Sequence, residues 1–415
     1  MEASLPTLSP SLPPFPRRLH SHSPLITSFP AIFTGSLRQL PRLRKIAPPH
    51  LTATVMASAT ATASCSSQAP LLSARTVSIS YSELKDKNAD LSSKIEQGFG
   101  ANGLGLLSIS DVPEYTLLRE NLLRLSSRLA NVSEDVKREL EDPDSRYSFG
   151  WSYGKQMRDG KLDKLKASFY ANPILDVPTT EPSLLQQYPS FCRANIWPCT
   201  ALPELEIAFK ALGKLILNVG LLLAYHCDRY VSSRIATNEN KDILQTLLPS
   251  RGHKGRLLHY FPTQNSCSSQ DDGSIPSWAG WHTDCASFTG LTCEMFTRDD
   301  VEIPCPDNAA GLYVKSRTGQ VVKPEYGEDE IAYMVGETSE ILSRHLLCAT
   351  PHCVQAPKGA EASAVGRSTF ALFLQPDWDD KFNFSELAHI HEELRHSNHS
   401  QTFGEYNERL LDKYY

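Results

Sequence analysis

A histidine and an aspartate one residue apart, in Trp281-His282-Thr283-Asp284-Cys285, set the tightest condition on the fold of this chain. In an extended strand side chains alternate between faces, so His282 and Asp284 would point the same way and grip one ion from adjacent corners. Two ligands alone hold a metal weakly and leave its geometry undefined, so a third is needed from elsewhere. The later histidines beside apolar segments are His345 and His352, the second within Thr350-Pro351-His352-Cys353-Val354. His352 lies 68 residues beyond Asp284. At roughly 8–12 residues per strand and turn, that interval holds about six to eight strand units. A chain that returns to the same mouth over that distance is a β-sandwich or barrel, with His345 as the rival third ligand.

Two histidines and a carboxylate on one triangular face leave three positions open, the arrangement of non-haem Fe(II) centres. Zinc more often takes four ligands with sulfur or further histidine. Fifteen residues past His352 comes Arg367-Ser368-Thr369-Phe370-Ala371-Leu372. Strand alternation puts Arg367 and Thr369 on one face, where a guanidinium fork and a hydroxyl suit the carboxylate of a dicarboxylate co-substrate.

The order His282-x-Asp284, His352, Arg367-x-Thr369 resembles the 2-oxoglutarate and Fe(II)-dependent dioxygenases, in particular the plant branch similar to isopenicillin N synthase and flavonoid oxygenases. Leu258-His259-Tyr260-Phe261-Pro262, Asn195-Ile196-Trp197-Pro198, Gly311-Leu312-Tyr313-Val314 and the stretch 336–343 belong to the same likeness, which spans roughly residues 90 to 410. The resemblance implies a mainly β fold with flanking helices: a double-stranded β-helix, or jelly roll, at 255–376, backed by a long helix. It implies Fe(II) held by His282, Asp284 and His352, and 2-oxoglutarate held by Arg367 and Thr369 with the Tyr260 hydroxyl donating to it. O2 would be consumed and succinate and CO2 formed, with ascorbate as an accessory reductant. The reaction would be hydroxylation, desaturation or dealkylation of a small organic substrate, with Phe169, Tyr170 and Trp197 lining its pocket. Three departures from the family pattern stand out: Cys353 follows the distal histidine where arginine is usual, Gly336-Glu337 replaces Gly-Asp, and 356–366 reads as an inserted loop. The competing readings are a catalytically silent binding module, which has no need of intact ligands, and a metal hydrolase, which has no use for Arg367.

The organisation around this centre is a leader of about 70 residues and then one domain, 75–415, ending in helices at 380–415. The first 70 residues hold six basic residues and one acid, Glu2, and are dense in Ser, Thr, Pro and Ala. That composition marks an organelle transit peptide; chloroplast is the expected address, with mitochondrion the alternative and cytosol if translation starts at Met56. A fluorescent fusion of residues 1 to 65 is expected to enter plastids; uniform cytosolic fluorescence would point to Met56. A net charge of −6 and a pI near 6.1 exclude a nucleic-acid surface, and a monomer is expected. Ten cysteines without a Cys-x-x-Cys pair or a secretory signal exclude a disulfide scaffold or zinc ribbon. No unbroken apolar run approaches the ~20 residues of a membrane span; the nearest, 215–224, contains Asn218 and follows Lys214.

Along the chain, patterning predicts a strand at 77–81, helices at 83–98 and 115–141, a buried strand at 103–109, a loop-rich passage at 142–203 and a single helix at 204–230. The pair His389-x-His391 would sit on a solvated helix, since positions i and i+2 do not share a helix face.

Overall fold

The computed structural model describes residues 72–158, 161–235, 242–262, 277–359, 362, 364–396 and 400–413. The expected targeting segment lies outside them. Two β-sheets face each other across a mixed core in which Leu258, Tyr260, Met334 and Ala371 of one meet Trp278, Leu312 and Val354 of the other. The larger sheet runs, in hydrogen-bonded order, Val77–Ser80, Leu106–Ser110, Ile331–Val335, Phe288–Thr292, Val365–Leu374, Lys254–Tyr260, Lys166–Ala171, Gly150–Tyr153. The smaller runs Ser73–Arg75, Val321–Glu325, Gly311–Lys315, His352–Gln355, Ser277–His282. The first strand of each sheet pairs in parallel and the remaining neighbours are antiparallel, giving the jelly roll with flanking helices that the sequence leads one to expect.

Period-two alternation decides what each strand shows to the inside. On Val365–Leu374, Phe370, Leu372 and Leu374 join the core beneath the helices, while Arg367, Thr369, Ala371 and Phe373 face a cavity between the sheets. Lys254, Arg256, Leu258 and Tyr260 face it from the neighbouring strand.

The helix Glu204–Arg234 covers the other side of the larger sheet with Phe209, Leu212, Ile216 and Leu223. Glycines on both partners allow the close approach: a Cβ at Gly290 would stand 2.3 Å from Ile216, and one at Gly220 would stand 2.4 Å from Leu374. By length and composition alone this helix would suffice to cross a membrane. Here its apolar stripe is spent on the sheet and on helix Tyr115–Ala130.

Three expectations need correction. The helix read at 83–98 is two helices, Tyr81–Lys85 and Ser92–Phe99. Between them the Asp86 and Asp90 carboxylates accept the backbone N–H groups of Asn88 and Ser92, local bonds that compete with helix continuation. The stretch 115–141 breaks likewise, because Ser133 caps a new helix, Glu134–Glu139. The passage 142–203, read as loop, supplies two strands of the larger sheet, Gly150–Tyr153 and Lys166–Ala171.

Candidate active site

The space between the sheets is a cavity of about 760 Å³, into which His282, Asp284 and His352 all project. His352 stands directly opposite His282 in the ladder of the smaller sheet, with ring centroids 4.2 Å apart. Asp284 completes the cluster from beyond the strand end, since Ser277–His282 stops at the histidine. Strand alternation is therefore not what brings the carboxylate in. The Asp284 carbonyl accepts the N–H of Glu337 at 2.9 Å, and its Oδ2 accepts the Thr289 hydroxyl at 2.6 Å. The Nε2 atoms of His282 and His352 each lie 3.9 Å from a different Asp284 oxygen, and the three ligand atoms fall within 4.8 Å of one another. His282 Nδ1 lies 2.8 Å from the Gly280 carbonyl, and His352 Nδ1 lies 3.1 Å from that of Thr350. A proton held on each Nδ1 and donated to these carbonyls leaves both Nε2 lone pairs for an ion. Desolvation in the cavity, and then the neighbouring His352, push the His282 imidazole below its usual value, which favours the neutral ring.

Arg367 forms one end of the cavity. Its guanidinium is buried, sits 4.9 Å from the Tyr260 ring centroid and reaches Glu294 Oε2 at 3.5 Å through Nη2. Its Nε and Nη1 are buried with no hydrogen-bond partner. Buried donors are nearly always satisfied and costly when they are not, so two orphans on one guanidinium facing a cavity fit a carboxylate that binds there. Thr369 lines the same wall, but its hydroxyl donates to the Thr292 carbonyl at 3.2 Å.

No family model and no curated protein matches the sequence. Solved structures do match the fold. T7H of Neurospora crassa in complex with alpha-KG aligns with a TM-score of 0.57 at 18% identity over 81% of this chain and 95% of that one. A protein of Caulobacter crescentus assigned to the 2OG-Fe(II) oxygenases aligns with a TM-score of 0.58 at 18% identity over 81% and 98%. JOX2 in complex with 2OG, Fe and JA aligns with a TM-score of 0.51 at 14% identity over 83% and 87%. The fold is that of the 2-oxoglutarate and Fe(II) oxygenases.

On this oxygenase fold, the three aromatic residues expected in the substrate pocket divide. Tyr170 lines the cavity. Phe169, its neighbour on the same strand, must face the opposite way and packs with Trp197 and Phe209 at centroid distances of 5.6 and 5.9 Å in the core under the long helix. Trp197 is held there by Phe209 and by the Asp176 carboxylate, which accepts its indole N–H at 2.9 Å. Neither lines the cavity: Phe169 because adjacent side chains of the strand 166–171 cannot share a face, and Trp197 because it is packed on Phe169 and Phe209.

His345, the rival ligand, is elsewhere: its Nδ1 lies 3.0 Å from buried Glu340, which also takes His389 at 2.7 Å and Arg317 at 2.5 Å. These three ligand atoms also cluster, but a cation there would meet the Arg317 guanidinium on the same carboxylate oxygen. Cys353, the departure beside the distal histidine, is buried, and burial pushes its thiol up to about 11, so it acts as a neutral packing group.

Two residues not foreseen brace the centre. Thr289 fixes the Asp284 carboxylate, and Glu337 accepts the Thr283 hydroxyl, His391 Nε2 at 2.5 Å and the Tyr406 hydroxyl at 2.8 Å. The pair expected on a solvated helix, His389 and His391, thus donates to two buried glutamates. Thr289→Val keeps the shape and deletes the bond to Asp284, so Fe(II) or Mn(II) affinity should fall about 10- to 100-fold, as for other partners that orient a ligand. An unchanged titration would make Thr289 a packing residue.

The Glu337 contact raises the His391 pKa above its usual 6.5. A raised folded-state value contributes stability that is complete below the unfolded value and disappears as pH climbs through the folded one. The unfolding free-energy difference between wild type and His391→Gln should therefore shrink as pH rises above the usual histidine value of about 6.5; a constant or growing difference would contradict this.

Proposed function

We propose that the chain is an Fe(II)- and 2-oxoglutarate-dependent oxygenase that hydroxylates, desaturates or dealkylates a small organic molecule. The observation that carries this reading is the buried Arg367 guanidinium with two unpartnered donors on the wall of the cavity that holds His282, Asp284 and His352. A hydrolase using the same three ligands would leave those donors without a purpose.

Each residue has a task in this reading. His282 and His352 through Nε2, with Asp284, would hold Fe(II), and Thr289 keeps the carboxylate in one orientation. Arg367 would take the far carboxylate of 2-oxoglutarate, with Tyr260 beneath the guanidinium. Fe(II) with 2-oxoglutarate and O2 supplies the oxidising power for the substrate C–H bond, at the cost of succinate and CO2 formation, and ascorbate would keep the metal reduced. The protein contributes orientation and a site screened from water. Glu337, by gathering Thr283, His391 and Tyr406, ties the turn between two ligands to the C-terminal segment.

The deciding experiment follows succinate formation on addition of Fe(II), 2-oxoglutarate and O2, with a metabolite extract screened for mass changes of about +16, −2 or −14. Succinate formed in step with such a change supports the reading. Retained 2-oxoglutarate binding without succinate would leave the alternative, a silent binding module on an oxygenase fold.

A further inference from the structure

The cavity has a second positively charged end. Along Lys254–Tyr260 the inward row is Lys254, Arg256, Leu258, Tyr260. Tyr260 stands opposite Arg367 in the ladder, Arg256 opposite Ala371 and Lys254 opposite Phe373. At about 3.3 Å per residue, Arg256 is roughly 13 Å and Lys254 roughly 20 Å along the wall from the Arg367 end. A five-carbon dicarboxylate anchored at Arg367 does not reach Lys254.

Lys254 is buried, and the Glu408 carboxylate, which accepts the Ser190 N–H, acts on its charge without forming an ion pair with it. Nζ donates to the Ser190 carbonyl and lies 4.4 Å and 5.2 Å from the ring centroids of Phe149 and Phe191. Among the described residues no carboxylate comes within ion-pair distance of it. One neutral acceptor and two ring faces offset only part of the cost of desolvating an ammonium, and two of its three N–H donors remain. Burial accordingly pushes the amine down to about 7. Two other lysines that line the cavity are paired, Lys166 with Asp163 at 3.1 Å and Lys413 with Glu393 at 2.5 Å. Arg256 lies over the Tyr170 ring at 5.1 Å and donates to Ser168 Oγ, adding a second positive charge beside Lys254.

We propose that Lys254 receives the carboxylate of an organic-acid substrate, whose carbon skeleton extends toward His282, Asp284 and His352. One buried ammonium with no ion pair and two free donors matches a monoanion rather than a phosphate dianion. Tyr170, Phe191 and Phe373, which line the cavity around Lys254 and Arg256, give that end the apolar surface that a hydrocarbon body requires. This assignment rests on the oxygenase reading, and it names the class of substrate that reading leaves open.

The test measures binding of arylalkanoic acids of graded chain length, each against its primary amide, to protein loaded with 2-oxoglutarate and Mn(II). The acids should bind about 10- to 100-fold more tightly than the amides, the range set by a hydrogen-bonded charge pair, and Lys254→Met should bring the two to parity. Amides equal to acids in the wild type, an acid preference that survives Lys254→Met, or no acid bound at millimolar concentration overturns the assignment. The comparison of acid with amide is made on wild-type protein, so it decides the matter even if the variant fails to fold. Wild-type 2-oxoglutarate binding is followed in the same titrations. Its absence would defeat the oxygenase reading itself, whereas its presence without an acid preference would defeat only the role of Lys254.

Discussion

His352→Ala should abolish Fe(II) binding and succinate formation, while His345→Ala leaves both close to wild type. His352 is buried opposite His282 with Nδ1 at the Thr350 carbonyl, so the ring has one orientation and one free nitrogen. Losing a partner that merely orients a ligand costs about 10- to 100-fold in metal affinity, and losing the ligand itself must cost more. With only His282 and Asp284 left, the ion would be held from two adjacent corners, and the triangular face that leaves three positions open is gone. His345 makes one bond to Glu340, which keeps Arg317, His389 and the Ala349 N–H when His345 is removed. Its side chain is 44% exposed, so the expected cost is roughly 0.5–1.5 kcal/mol of stability, that of an ordinary hydrogen bond, with no change in metal titration. A metal-binding defect in His345→Ala with normal binding in His352→Ala would mean that the strand returning to the centre has been misassigned.

What could be read beforehand follows from how each residue is determined. Arg367 and Thr369 share a face because strand parity is a local rule, and the same rule separates Tyr170 from Phe169 once residues 166–171 are known to be a strand. That strand was invisible because one pairing partner, Lys254–Tyr260, is remote in sequence, the other, Gly150–Tyr153, lies in the same passage, and the flanking prolines and aromatics resemble a loop. The closeness of His282 and Asp284 was anticipated for the wrong reason: the turn after His282, held by Glu337 and Thr289, does what alternation was expected to do. Glu337 itself could be noted as a departure from the family's Gly-Asp pattern. Its partners Thr283, His391 and Tyr406 could not be paired with it, since nothing in 54 and 69 residues of separation signals a contact. Lys254 escaped for a related reason: a lysine at the head of a strand is ordinarily a solvated one, and only the packed rings of Phe149 and Phe191 reveal that this one is not.

Arg367→Lys should weaken 2-oxoglutarate about 10- to 100-fold while sparing Fe(II). A planar fork meets a carboxylate with two parallel charge-assisted bonds, whereas an ammonium on a flexible stem offers a single point charge. Hydrogen bonds to charged groups contribute about 1.5–3 kcal/mol, and ~1.4 kcal/mol is tenfold in affinity, which sets the range. Thr369→Ala should give a milder defect, because its hydroxyl already donates to the Thr292 carbonyl. A thermal-stability measurement separates binding from structure. Without co-substrate, Arg367→Met removes two unsatisfied buried donors but leaves Glu294 without its partner, so it should destabilise, by at most the roughly 3–5 kcal/mol of a broken buried pair. With 2-oxoglutarate at a hundred times its wild-type dissociation constant, the wild type should gain about 2.7 kcal/mol and Arg367→Lys only about 0.4–1.4 kcal/mol. Equal gains in the two proteins would make Arg367 a structural partner of Glu294 and Tyr260, and the co-substrate assignment would have to be withdrawn.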